Sequence, residues 1–112
     1  MVRHIVLIKW KPETNAEQIQ AFADGFASLR ESISVVRGMY YGPDLGLMDG
    51  TFDYAMVADF DSAEDWHTYR DHPDHIAFAQ RFGHLGADTA RVQFTLEPVN
   101  PSSESLMPWI TR

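Results

Sequence analysis

The segment that most narrows the fold is Val2 to Trp10, VRHIVLIKW. Its Val and Ile content marks a strand. Successive side chains of a strand leave opposite faces, so the segment divides into two sets. One set is Val2, His4, Val6, Ile8 and Trp10; the other centres on Ile5 and Leu7. Both are apolar at their middle, His4 excepted. A strand apolar on both faces is covered on both faces. Whatever this chain folds into must therefore place a layer on either side of its first strand. Lys11-Pro12 ends it.

The following segments supply one of those layers. Asn15 or Thr14 caps a helix, with Glu17 or Gln18 placed for a capping box. Ile19, Phe22, Phe26, Leu29 and Ile33 then recur at helical spacing and form one core-facing stripe. A second strand is expected over Ser34–Tyr41 and a third over Thr51–Phe60, joined by a connection rich in Gly, Pro and Asp. Asp61 or Ser62 caps another helix, from Ala63 to about Asp71. Pro73 interrupts it, and a further helix restarts there, with His75, Phe78, Ala79, Phe82 and Leu85 on one stripe. The last strand is expected over Thr89–Glu97. Residues 98–112, rich in Pro and Ser, read as an extended tail after a domain of residues 1–97.

The order strand, helix, strand, strand, helix pair, strand predicts an α+β ferredoxin-like βαββαβ subunit. Its four-stranded antiparallel sheet carries all helices on one face. The other face of the first strand then lacks cover, and a homodimer with sheets face to face supplies it.

Composition limits the partners. The net charge is −7, and the nine Lys and Arg are scattered, which argues against nucleic acid or an anionic membrane. With no Cys, disulfides, thiolate catalysis and Cys-ligated metal are excluded. Arg3, His4 and Lys9 break the N-terminal apolar run too often for a signal peptide or a span, so a soluble cytoplasmic protein is expected.

Chemistry concentrates in Trp66–Phe82, WHTYRDHPDHIAFAQRF, which holds three of the five histidines. Pro73 makes the His72–His75 spacing non-helical, so no metal site is expected. His72 is expected to cap the break. His75 faces inward from its stripe. It is either a paired core histidine or a base of near-neutral pKa at the floor of an apolar pocket. Tyr69 either packs against it or orients it, and His4 faces the same layer.

Several motifs resemble the stress-responsive α/β-barrel (Dabb) family over residues 2–97: His4-Ile5-Val6, Tyr41-Gly42, Phe60-Asp61-Ser62-Ala63-Glu64, and Tyr69-Arg70-Asp71-His72-Pro73-Asp74-His75. The resemblance implies a ferredoxin-like subunit in a dimeric α+β barrel. Most members have no established activity. One branch, similar to the olivetolic acid cyclases, closes linear polyketides by aldol condensation without a cofactor. Carried over by motif, its site implies His4, Tyr69 and His75 as catalytic residues. Met56 stands where that branch has a third-strand histidine.

The expectation is a homodimer holding a small apolar or aromatic ligand between sheet and helices. Val6, Ile8, Phe22, Phe26, Met56, Ala58, Phe78 and Phe82 would line the pocket. The alternative is a cofactor-free polyketide cyclase or aldol-type lyase with His75 as general base.

Overall fold

The computed structural model describes residues 1–98. The expected tail lies outside these, except for Pro98. The elements run β1 (Val2–Trp10), α1 (Ala16–Ser32), β2 (Gly38–Pro43), β3 (Tyr54–Phe60), α2 (Ala63–Asp71), α3 (Pro73–Phe82), a single 3-10 turn (Gly83–Leu85) and β4 (Gly86–Thr95). They build a ferredoxin-like α+β unit. All strand pairs are antiparallel and the sheet order is β2-β3-β1-β4. The doubly apolar β1 is thus a central strand.

Helix boundaries follow local chemistry. Asn15 accepts from the Gln18 backbone N–H while the Gln18 side chain accepts from the Asn15 N–H, both at 2.9 Å. This is a complete capping box, which satisfies two donors that α1 would otherwise leave open. Ser62 Oγ accepts from Asp65 N–H and caps α2. Phe22, Ala23, Phe26 and Leu29 turn inward from α1. They meet Val6, Ile8, Tyr54, Met56, Ala58 and Phe60 from the sheet. Phe60, Phe26 and Ile33 are wholly enclosed. Burial of each contributes roughly 1.5–3 kcal/mol before cavity effects are counted.

Three strands differ from the expected spans. Residues 34–37 make a turn instead of opening β2, because Ile33 and Val36 both drop into the core and Val36 N–H donates to Ile33 O. A segment anchored by two buried side chains three residues apart has no period of two to pair with. β3 begins at Tyr54, not Thr51. Asp53 holds the preceding residues out of the ladder: its carboxylate accepts from Trp10 N–H at 2.9 Å. β4 opens at Gly86, ahead of the expected Thr89, opposite Trp10, where the register shifts between Lys9 and Trp10.

The two sheet faces differ. His4, Val6 and Ile8 pair with Ala58, Met56 and Tyr54 on the helix side. Ile5 and Leu7 pair with Val57 and Ala55 on the outer side, and Val92 continues that outer row on β4. Tyr40, Val92 and Phe94 are exposed there. At one edge of the apolar row Arg3 grips Asp59 through two hydrogen bonds of 2.8 and 2.9 Å.

Candidate functional site

α2 packs on β1 and β3, and α3 on α1 and α2, which leaves β4 uncovered; a cavity of about 720 Å³ opens between the sheet and the helices. His4, Tyr69 and His75 all line it. So do Val6, Ile8, Phe22, Met56, Phe78 and Phe82. Phe26 and Ala58, expected among the lining, do not reach it. Both are enclosed in the core beneath, Ala58 as a short side chain and Phe26 turned toward Tyr41, with ring centroids 5.6 Å apart.

His72 joins the two helices. Its backbone N–H donates to Tyr69 O and closes α2. Its Nδ1 accepts from Asp74 N–H at 3.0 Å and opens α3, with Pro73 in the first turn. The break sets the Tyr69 and His75 rings side by side, with centroids 4.4 Å apart. They pack; no hydrogen bond joins them.

The three polar groups differ in protonation. His75 Nδ1 lies 3.1 Å from the Arg70 carbonyl. A carbonyl only accepts, so Nδ1 carries the hydrogen and Nε2 keeps a lone pair. Burial lowers the His75 pKa, opposed by the bond to Arg70 and assisted by Arg91 and His72. At His4 the arrangement reverses. Gln93 Nε2 donates to His4 Nδ1 at 2.8 Å, which leaves His4 Nε2–H as a donor. Burial, with the charges of His75 and Arg91, pushes the His4 pKa down to about 4.

Tyr69 is 2% exposed, and burial raises its pKa, so it stays a phenol. Its hydroxyl has no partner among the described residues, yet no enclosed side-chain N or O among them is unpartnered. The hydroxyl therefore opens on the cavity. One acceptor with a lone pair and two donors thus meet on an apolar floor. That set suits proton removal beside a polarised carbonyl.

Met56 lies opposite Val6 on β3 and lines the same cavity. A thioether neither donates nor transfers a proton, so the third imidazole of the cyclase-like pattern has no substitute there. Among the described residues no three His, Asp or Glu gather in a metal-binding group. His67 and His84 are exposed away from the site.

Sequence reasoning missed one wall. Thr89, Arg91 and Gln93 on β4 and Trp66 on α2 also line the cavity. Val92, Phe94 and Leu96 alternate with Arg91, Gln93 and Thr95, but alternation alone does not say which face the polar set takes. The register with Ile8, Val6 and His4 turns that set toward the helices.

A four-stranded ferredoxin-like sheet with helices on one side and a cavity between the layers defines an α+β barrel-type subunit. The Stress Responsive A/B Barrel Domain (Dabb) model matches residues 2–96. The chain belongs to the Dabb family. It is 26% identical over 83 residues to the stress-response A/B barrel domain-containing protein HS1 of Arabidopsis thaliana, covering 72% of this chain and 76% of that protein. It is 27% identical over 79 residues to olivetolic acid cyclase of Cannabis sativa, covering 69% and 78%. A dimeric ferredoxin-like protein of unknown function from Thermobifida fusca superposes with a TM-score of 0.79 at 35% identity, covering 85% and 90%.

Proposed function

We propose that this protein is a homodimer, a dimeric α+β barrel, that holds a small apolar or aromatic ligand between its sheet and its helices. The observation that carries the ligand reading is the cavity itself. At about 720 Å³ it is of drug-like size, apolar over most of its wall and supplied with a few convergent polar groups. The apolar outer sheet face supports the dimer, as does the dimeric Thermobifida fusca relative. A monomer would leave Ile5, Leu7, Val57, Val92 and Phe94 facing water as one patch.

The ligand reading is tested by thermal unfolding with a panel of small aromatic compounds. A ligand that binds only the folded state raises the melting temperature, by about 2.7 kcal/mol of stability at a hundred times its Kd. Ala79→Trp, placed on the cavity wall, should abolish the shift without lowering the melting temperature of the free protein. Shifts that persist in Ala79→Trp would place the binding elsewhere and sink the reading.

A second reading is favoured by a separate observation, the His75 Nδ1–H bond to the Arg70 carbonyl. It fixes the tautomer a base needs. On this reading the protein is a cofactor-free aldol-type lyase or cyclase. His75 removes a proton α to a carbonyl, and Tyr69 and His4 donate to the developing oxyanion. The olivetolic acid cyclase relative lends this reading its substrate chemistry, and Met56 marks where the two sites part.

A further inference from the structure

The cavity has one wall unlike the rest. Its floor is Val6, Ile8, Met56, Phe78 and Phe82; its open side is the helix-facing row of β4. In that row Gln93 is engaged with His4, while the Arg91 guanidinium has no hydrogen bond or ion pair to a side chain among the described residues. The other charges at the cavity are accounted for. Arg70 is held by Asp71 through two bonds of 2.9 and 3.2 Å and lies over the Trp66 ring. Asp88 also lines the cavity, but it pairs in register with Lys9 and forms no ion pair with Arg91. Arg91 is thus the one un-neutralised cation lining this cavity among the described residues. It is close enough that its field disfavours protonation of both His4 and His75.

We infer that Arg91 selects an anionic ligand: an aromatic or apolar molecule bearing a carboxylate, with its hydrocarbon part on the Val6–Met56–Phe78 floor and its carboxylate on the guanidinium. The inference rests on the ligand reading above and adds the charge of the ligand to it. A guanidinium presents a planar fork matched to a carboxylate, and such pairs are stronger than neutral hydrogen bonds. The chain as a whole carries −7 and repels anions, so recognition of one has to come from a local cation. A neutral ligand would leave that cation without a partner inside the site.

The test uses two probes of the same shape, 2-naphthoate and uncharged 2-naphthamide, titrated calorimetrically into the full-length protein. Naphthoate should bind at least about tenfold more tightly than the amide, and less so as salt rises. Arg91→Gln should bring the two affinities together while leaving that for the amide unchanged. Arg30→Gln, an exposed change at the end of α1, should preserve the preference. Equal affinities in the wild type would overturn the anion inference and leave the ligand reading standing. A preference that survives Arg91→Gln would overturn the role of Arg91. Binding of neither probe would overturn both readings.

Discussion

His4 and His75 are both held neutral, yet they turn opposite groups to the cavity. The difference comes from what each Nδ1 meets. A carbonyl at His75 demands a donor there and leaves a base at Nε2; an amide N–H at His4 demands an acceptor and leaves a donor at Nε2. Neither partner is itself a titrating group, so the assignment holds across the neutral range. The sign of the pH dependence follows. His75 is a base only when unprotonated, and its pKa is lowered by burial, so base activity should be lost on acidification only below the ordinary imidazole value. Deuterium uptake from D2O into the methyl group of an aryl methyl ketone reads this directly. The wild type should catalyse exchange with an acid limb below about pH 6.5, the unperturbed value, and His75→Gln should lose about a hundredfold or more. An acid limb above that value, or an unchanged rate in the variant, rules out His75 as the base. The inward placing of these residues was legible because His4 alternates with Val6 and Ile8, and His75 with Phe78 and Phe82. Their tautomers were not, because Gln93 lies 89 positions from His4 and only strand pairing brings them together.

At the level of elements, the proline break makes the site. On an unbroken helix, residues six apart point about 120° away from each other and sit about 9 Å apart along the axis. Tyr69 and His75 stand in that relation in sequence, yet their rings touch. The chain ends one helix and starts the next at His72, and the change of direction folds the two side chains together. Pro73 announced this in the sequence. The packing of α3 on α1 did not show itself in the same way. A Cβ at Gly25 would lie 2.8 Å from Phe82 Cε2 and 3.3 Å from Phe78. Gly25→Ala should gain about 1 kcal/mol of helix propensity and lose more to the clash, for a net loss of about 1–2 kcal/mol. Urea unfolding measures it; a midpoint that rises would show that the two rings yield freely.

For the whole molecule, the first strand was the informative segment, and the element order followed from hydrophobic period and capping residues. The sheet order β2-β3-β1-β4 puts β1 in the middle, as two apolar faces require. What the sequence could not convey was which strand the helices would leave bare. β4 carries its apolar residues outward and its polar ones toward the helices, the reverse of the usual rule. Val57 sits at the middle of that outer face, opposite Ile5. Val57→Lys would bury a charge without a partner in the dimer and cost little in a monomer. Sedimentation velocity should find two-chain particles for the wild type and single chains for the variant. Single chains for both would remove the dimer from the proposal.

β4 serves two surfaces with alternate residues, Arg91 and Gln93 to one side and Val92 and Phe94 to the other. Slipping this strand by one position along β1 would send Val92 into the cavity and turn Arg91 into the apolar outer face, undoing both at once. Faithful folding therefore depends on what stops the slip. Two clamps stand at its ends: the register shift opposite Gly86, and the 2.9 Å bond from Leu96 N–H to Met1 O. Gly86 at the wall of the cavity and Met1 at the start of β1 thus decide which residues of β4 face the cavity.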